Sequence, residues 1–233
     1  MRVDEKGWLC AEAGDPRVVL LPTVRTYRLV VKTPLGLVWH TTGGVGGPRW
    51  AEMLARRIQT YRRGADRAAS WHFLVAKDGT VFQSAPTTVG TWHVGMPGIL
   101  AGRSFENINH ATIGVELENA GLLVECAGQF YTWPYCLPGG HTPDPRSRID
   151  RARVAHHEAS AFDGFPEAQR LSATVLATCL ARALGWDEAA LGHGHADFAA
   201  PRKIDPGPLW MKDILPRILA IAGRAARPTG GAG

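Results

Sequence analysis

Short stretches of the chain carry the alternating or continuous apolar pattern of β-strands. Residues 28–31 and 37–40 are rich in apolar and β-branched side chains and are bounded by proline and glycine, so they predict two strands. Residues 112–118 place apolar side chains around two glutamates and predict a third strand. Between two further β-rich runs, the Asp78-Gly79 pair predicts a hairpin turn.

Other stretches repeat their apolar residues at helical spacing. Pro48 suits the first turn of a helix, where a missing N–H costs nothing. The apolar stripe predicted for this helix is Trp50, Met53, Leu54, Ile58 and Tyr61. Pro166 opens the longest predicted helix, which Gly185 closes, and a last helix is expected from about Leu209 to Ala222.

Strands and helices are mixed along the chain, and the predicted hairpin argues against a purely parallel sheet. We therefore expect the α/β class, with a single domain in which a central mixed β-sheet is flanked by helices. Residues 1–26 are interpreted as an N-terminal arm, 27–225 as the domain and 226–233 as a flexible tail. Residues from about 120 to 165 lack a clear period and are interpreted as a surface insertion.

Composition and charge narrow the class of protein. Of the 233 residues, 45% are hydrophobic and 20% are charged, which is typical of a globular chain with a buried core. The formal net charge of +5 favours anionic partners, such as nucleic acid or the acidic polymers of a bacterial wall. Because the basic residues are scattered and lack interleaved aromatic residues, a nucleic-acid partner is not expected.

The four cysteines and the apolar runs exclude further classes. Cys10, Cys126, Cys136 and Cys179 show no Cys-x-x-Cys spacing, so a thiolate metal cluster is not expected. Buried free thiols are the favoured interpretation, with a Cys126–Cys136 bridge as the alternative. The first residues resemble no secretory signal, and no apolar run reaches the roughly 20 residues that span a bilayer. We expect a monomer that is synthesised in the cytoplasm and has no membrane segment.

Three residues suggest metal chemistry. His195 and Asp205 share a loop punctuated by prolines, and His40 ends an apolar run far upstream. Two imidazoles and a carboxylate leave the fourth position of a tetrahedral zinc ion open, as in catalytic sites. His193 competes with His195 for the role of second ligand, and Asp205 could equally begin a simple Asp-Pro-Gly turn.

Five segments of the chain, in the same order along the sequence, resemble the zinc-dependent N-acetylmuramoyl-L-alanine amidases. This family is related to peptidoglycan recognition proteins and phage endolysins. The similarity covers about residues 35 to 215. It implies a central mixed sheet, one zinc ion, and cleavage of the bond between the lactyl group of muramic acid and L-alanine. The segments that carry it are residues 39–44, 71–81, 91–95, 112–119 and 195–208.

The resemblance also implies roles for individual residues. His40, His195 and Asp205 would be the zinc ligands. Glu116 would take the proton from the attacking water, with Glu118 as the substitute if the strand register differs. Lys203 would stabilise the developing oxyanion, for which its flexible point charge is suited.

A loop and a neighbouring strand are implied to contact the substrate. Trp92 and His93 match the family's substrate-contacting loop, with loop packing as the alternative. Trp71 stands where several relatives carry a tyrosine that assists catalysis. The indole of Trp71 cannot supply that hydroxyl, so we expect it to contact substrate while catalysis depends on the glutamate and the lysine.

The favoured function is therefore hydrolysis of peptidoglycan or of a soluble muropeptide, with zinc as the cofactor. The alternative is a non-catalytic peptidoglycan-binding module of the same fold, and a basic nucleic-acid-associated protein is a third hypothesis. The chain fits an endolysin that acts on the wall after lysis, an exported toxin, or a cytoplasmic recycling enzyme. The insertion and the basic charge slightly favour the intact wall as substrate.

Overall fold

The structure, a computed structural model, describes residues 1–44, 49–59, 69–132, 149–151, 161–200 and 202–226. Its strands are β1 (Arg2–Val3), β2 (Leu9–Cys10), β3 (Val18–Leu20), β4 (Gly36–Thr41), β5 (Phe73–Val75), β6 (Val81–Gln83), β7 (Gly98–Leu100), β8 (Arg103–Phe105), β9 (Thr112–Leu117), β10 (Leu122–Cys126), β11 (Gln129–Thr132), β12 (Ile149–Arg151), β13 (Ala161–Asp163) and β14 (His193–Gly194). Its α-helices are α1 (Trp50–Gln59), α2 (Glu167–Leu184), α3 (Glu188–Leu191), α4 (Ala196–Ala199) and α5 (Leu215–Ala226). A 3₁₀-helix spans Ile108–Ala111, and a π-helical segment spans Leu209–Ile214.

A six-stranded sheet forms the centre of the fold, in the order β14-β4-β9-β5-β6-β3. The β5–β6 pair is antiparallel, whereas the other four neighbouring pairs are parallel. The Asp78-Gly79 turn joins β5 to β6, which confirms the predicted hairpin. The expected mixed sheet flanked by helices is therefore confirmed.

Side-chain alternation gives the two central strands different faces. On one face, Leu37 and Trp39 of β4 join Ile113 and Val115 of β9 in the largest core cluster, which includes apolar residues of α2 and α5. On the other face, Val38 packs in a separate cluster with Ile108. Because His40 follows Val38 by two positions, β4 directs His40 to this second face, away from α2.

Most of the predicted helices are confirmed. α2 follows Pro166 and ends at Gly185, which has the left-handed φ of 69° that glycine tolerates at a helix end. The buried stripe of α1, however, differs from the prediction: Ala51, Ala55 and Ile58 are buried, whereas Met53 is 54% exposed. The small alanine side chains let the helix pack closely on the sheet. The prediction missed this face because it counted only the larger apolar residues. Tyr61, also assigned to the stripe, lies outside the described residues.

Two segments differ from their predicted structure. Residues 28–31 form no strand, and beside them only Tyr27 makes an isolated bridge, with Gly90. The reason is that Val30 is 61% exposed, so its β-branched side chain does not contribute to a packed sheet. Within the predicted arm, β3 forms the edge of the central sheet. Residues 227–233 of the predicted tail lie outside the described residues.

The predicted insertion contains a second sheet rather than irregular chain alone. Its described parts form four strands in the order β11-β10-β13-β12, all paired antiparallel. Residues 133–148 and 152–160 lie outside the described residues. These strands are short, and β13 carries a buried aspartate, so their apolar pattern was too weak to predict them.

A buried ion pair connects the two sheets. Nζ of Lys77, in the β5–β6 turn, donates to both oxygens of Asp163 in β13 at 3.0 and 2.7 Å. The same carboxylate accepts the N–H of Ala120 at 2.8 Å. The side chains of Lys77 and Asp163 are only 3% and 0% exposed, so neither charge has water as a substitute partner.

Replacing Lys77 by methionine is expected to lower the free energy of unfolding by about 3 to 5 kcal/mol, because it leaves the Asp163 carboxylate buried without its cation. Urea denaturation measures this change. The matched control is Arg56→Met, which removes the exposed Glu52–Arg56 pair of α1 and is expected to cost no more than about 0.5 kcal/mol. Equal effects of the two substitutions would contradict this role of Lys77.

Two sequence-based expectations on membranes and thiols can be compared with the structure. Among the described residues, none of the helices combines the length and apolar character that crossing a bilayer requires. Cys10 and Cys179 are free thiols. The side chain of Cys126 and the whole of Cys136 lie outside the described part, so the alternative of a bridge between them stays a prediction.

Candidate metal centre

Two adjacent parallel strands bring the candidate histidines together. β14 pairs with β4 so that Gly194 lies opposite Trp39, and the N–H of His195 donates to the Trp39 carbonyl at 3.1 Å. His195 is therefore placed beside His40, the next residue of β4. His193, the competing candidate, is half-buried with its ring centroid 5.5 Å from that of Phe198. Of the two candidates, His195 is therefore the one that lies beside His40 and Asp205.

The loop after α4 brings the candidate carboxylate to the same place. The carbonyl of Asp205 accepts the N–H of Ala196 at 3.1 Å, which ties the loop to the residue after His195. Gly194 is required here, because a Cβ at this position would lie 2.9 Å from Cδ of Pro206. The residues between His195 and Asp205 thus turn back so that both side chains face His40.

The three side chains converge on one point. Nδ1 of His40 lies 3.0 Å from Nδ1 of His195 and 3.4 Å from Oδ2 of Asp205, and the distance from His195 Nδ1 to Asp205 Oδ2 is 3.1 Å. Ligand atoms around a tetrahedral zinc ion lie about 3.3 to 3.5 Å apart, given metal–ligand distances of about 2.0 to 2.1 Å. The spacing therefore fits zinc within a few tenths of an ångström. Two imidazoles and a carboxylate are also a donor set that zinc accepts.

Burial and charge hold these groups in the protonation states that a metal ligand needs. Burial lowers the pKa of His40 to about 4, although the nearby Asp205 opposes this change. Burial alone would raise the pKa of Asp205, but the neighbouring imidazoles of His195 and His40 hold it well below its usual value. At neutral pH the centre therefore presents neutral His40 and ionised Asp205.

Glu116 lies next to this centre. β4 and β9 are in parallel register, with His40 opposite Glu116, so both side chains leave the same face of the sheet. Burial, together with the charge of Asp205, raises the pKa of Glu116 to about 8, whereas Lys203 opposes the rise. Within the described part of the chain, Oε2 of Glu116 is buried and has no hydrogen-bond partner. Glu116 therefore binds a proton more tightly than an exposed glutamate does, and among the described residues its Oε2 has no competing partner.

Glu118 and Lys203 have different places. Glu118 is 3% exposed, and its Oε2 accepts the backbone N–H of Lys77 at 2.8 Å. It contacts the β5–β6 turn, whereas Glu116 lies opposite His40. Lys203 lines a cavity of about 270 Å³ beside Asp205, and its charge acts on both His40 and Glu116.

Of the three residues predicted to contact substrate, only Trp92 is substantially exposed. Trp71 is 5% exposed and packs in the core with Leu74 and Phe82, so in this structure it is a packing residue. His93 is 8% exposed and lies behind His40, with its Nδ1 3.0 Å from His40 Nε2. Trp92 is 41% exposed and stays a candidate for substrate contact.

Sequence analysis missed the residues that support His93. Thr112 contacts its Nε2, Asn109 accepts its backbone N–H, and Gly114 makes room for its ring. The available signal was Gly114 itself, because glycine inside a strand marks a close approach by another group. Thr112 and Asn109 carried no comparable signal.

Comparison with known proteins identifies the fold and the family. The structure resembles Citrobacter freundii AmpD with a TM-score of 0.51 and 22% identity, covering 99% of this chain and 100% of that one. It resembles the Escherichia coli N-acetylmuramyl-L-alanine amidase AmiD with a TM-score of 0.50 and 22% identity, covering 93% and 65%. For a mutant endolysin from Bacillus subtilis, the TM-score is 0.51, the identity 18% and the coverage 89% and 99%. No curated protein sequence matches the chain significantly.

The sequence itself supplies the assignment to a family. The family model described as N-acetylmuramoyl-L-alanine amidase (Amidase_2) matches residues 31–208. This range includes β4, β9 and β14 together with the loop that carries Asp205, so it contains every residue of the centre described above. The resemblance inferred from five sequence segments is thereby confirmed. The chain belongs to the N-acetylmuramoyl-L-alanine amidase family.

Proposed function

We propose that this protein is a zinc-dependent amidase that cleaves the bond between the lactyl group of N-acetylmuramic acid and L-alanine of the peptidoglycan stem peptide. The observation that carries the proposal is the convergence of His40, His195 and Asp205 within 3.4 Å of one another, with Glu116 opposite His40. The AmiD structure supports the substrate class, since it holds anhydro-N-acetylmuramic acid-L-Ala-D-gamma-Glu-L-Lys as substrate.

Nδ1 of His40, Nδ1 of His195 and Oδ2 of Asp205 would hold the metal. A zinc ion held by these three groups would polarise the scissile carbonyl and lower the pKa of a water molecule toward about 7. Around it, the chain supplies a mostly buried setting: His40 and His195 are 2% and 5% exposed. Such a setting strengthens electrostatic interactions with the reacting groups, because little bulk water screens them.

Glu116 would move the proton. Its Oε2 takes a proton from the attacking water and then delivers it to the nitrogen of L-alanine as the amide bond breaks. Burial suits this task because it raises the proton affinity of the carboxylate. Lys203 would place its ammonium group near the carbonyl oxygen and stabilise the negative charge that develops there.

The cavity beside Asp205 would hold the peptide part of the substrate. Thr41 and Gly121 line it from the sheet side, Phe162 of the second sheet forms part of its wall, and Arg202 and Lys203 lie at its border. The positive charge of Arg202 would match a carboxylate of the stem peptide, since Lys203 is already assigned to the reacting carbonyl. The second sheet therefore contributes a surface for substrate, which connects the insertion to function.

Arg202→Ala is expected to raise KM for a muropeptide about 3- to 10-fold and to leave kcat nearly unchanged, since an exposed charge contributes about 1 kcal/mol to binding. Steady-state kinetics on a soluble muropeptide measure both constants. The control is Arg224→Ala, an equally exposed arginine on α5 that is distant in sequence from the cavity residues. A fall in kcat without a change in KM would contradict this role.

The activity is tested by incubating the protein with purified sacculi and, separately, with a soluble anhydro-muropeptide. The expected products are free stem peptides with a new L-alanine amino terminus, which mass spectrometry identifies. Tight binding to sacculi without peptide release would support the non-catalytic module instead. The ratio of the two rates distinguishes a wall-degrading enzyme from a recycling enzyme.

A further inference from the structure

A chain of hydrogen bonds lies behind His40, on the side opposite the candidate metal position. Nε2 of His40 is 3.0 Å from Nδ1 of His93. Nε2 of His93 is 3.2 Å from Oγ1 of Thr112, and Oγ1 of Thr112 is 2.9 Å from the carbonyl oxygen of Ile108. This series of hydrogen bonds thus runs from the candidate metal position through two imidazoles and a hydroxyl to a backbone carbonyl.

The Ile108 carbonyl, at the end of this series of hydrogen bonds, determines where each hydrogen lies. The Ile108 carbonyl can only accept, so the single hydrogen of the Thr112 hydroxyl points to it. The Thr112 oxygen is then free to accept from Nε2–H of His93. A neutral imidazole has one N–H, and burial at 8% exposure favours the neutral form of His93. Nδ1 of His93 is therefore an acceptor.

It follows that His40 must donate. With Nδ1 of His93 as the acceptor, Nε2 of His40 carries the hydrogen, and the lone pair of His40 Nδ1 faces His195 and Asp205. This tautomer is the one that a metal at that position requires. The alternative tautomer of His40 would place a hydrogen where the ligand lone pair must be.

The sequence holds His93 firmly in this position. Oδ1 of Asn109 accepts the backbone N–H groups of His93 and Val94 at 3.3 and 2.7 Å, which fixes the loop. Gly114 of β9 leaves the space for the ring, because a Cβ there would lie 2.6 Å from Cγ of His93. Thr112 and Gly114 both face the His93 side of β9, two positions apart.

We propose that His93, oriented by Thr112, is a positioning residue that fixes His40 as the tautomer with hydrogen on Nε2 and so presents Nδ1 to the metal. The proposal rests on the zinc site proposed above. It makes the two histidine ligands unequal, because within the described residues the other ring nitrogen of His195 is buried without a hydrogen-bond partner. The orientation of His40 is thus built into the fold, independently of the metal.

The test compares Thr112→Val with Thr112→Ser. Valine keeps the shape of threonine but removes the acceptor, so His93 gains by moving its hydrogen to Nδ1, which drives the hydrogen of His40 onto its own Nδ1. Zinc affinity, measured by competition with a chromophoric chelator, is expected to fall about 10- to 100-fold in the valine variant. The serine variant retains the hydroxyl, so its zinc affinity is expected to stay within about 3-fold of that of the wild type. This change is well below the loss that removing such a hydrogen-bond partner causes.

A second readout needs no metal. Nitrogen-15 NMR of the metal-free protein is expected to show His40 protonated on Nε2 in the wild type and the serine variant, and redistributed toward Nδ1 in the valine variant. His93→Asn, whose amide oxygen can accept at the place of Nδ1, provides a second comparison with His93→Leu, which offers no acceptor. The asparagine variant is expected to bind zinc more tightly than the leucine variant.

The outcomes separate this proposal from the proposed function. Equal zinc affinity and an unchanged His40 tautomer in the serine and valine variants would overturn the role of His93. A wild-type protein that binds no zinc, but shows His40 protonated on Nε2, would overturn the zinc site and support the hydrogen-bond chain.

Discussion

His195→Ala is expected to abolish both zinc binding and turnover. It removes one of three converging ligands and leaves His40 and Asp205, which are too few to hold zinc in a catalytic site. Since the metal contributes several kcal/mol to stabilising the transition state, amidase activity is expected to fall at least about 1000-fold. Metal analysis after dialysis and the rate of stem-peptide release measure the two losses.

The matched control for this substitution is His193→Ala. His193 lies two residues away, on β14, and its ring contacts Phe198 rather than the centre. This variant is expected to retain about one zinc ion per chain and most of the activity. Retention of wild-type zinc content by His195→Ala, or its loss from His193→Ala alone, would contradict the assignment of ligands.

Glu116→Gln is expected to separate metal binding from catalysis. The amide has nearly the same shape as the carboxylate but cannot take a proton, and Glu116 is not one of the three converging ligands. Zinc content is expected to be unchanged, whereas kcat falls about 100- to 10,000-fold, the usual contribution of a general base. Metal analysis and steady-state kinetics on the same sample check both parts.

Glu118→Gln provides the comparison within the same segment. A glutamine at this position can still accept the N–H of Lys77, so folding and kcat are expected to change little. The sequence alone left both glutamates as candidates for the proton acceptor. A large loss of kcat in Glu118→Gln, together with full activity in Glu116→Gln, would reverse the assignment.

Sequence patterns within a short segment predicted those elements of the fold that depend on interactions within the segment. The Asp78-Gly79 hairpin, the strand that carries His40 and the helix between Pro166 and Gly185 all follow from turn chemistry, apolar runs and helix ends. The sequence also proposed His40, His195 and Asp205 as a set of two imidazoles and a carboxylate, and their side chains converge in the structure. The resemblance to a family joined these distant segments.

The remaining features depend on contacts between distant parts of the chain. Asp163 of β13 forms its ion pair with Lys77, which is 86 residues away in the sequence. His93 was assigned to the substrate because its segment matches the family's substrate-contacting loop, whereas Asn109 and Thr112 hold it behind His40. Neither relation has a local pattern, and only Gly114 marked a close approach by another group without showing which one.

The central claim is that one zinc ion, held by His40, His195 and Asp205, is required for cleavage of the lactyl–L-alanine bond. The most direct test is to titrate the metal-free protein with zinc while measuring release of stem peptide from a muropeptide. The expected result is no cleavage without metal and a linear rise in rate that ends at one zinc ion per chain. A full rate in the metal-free protein, or no cleavage at any zinc content, would contradict the account.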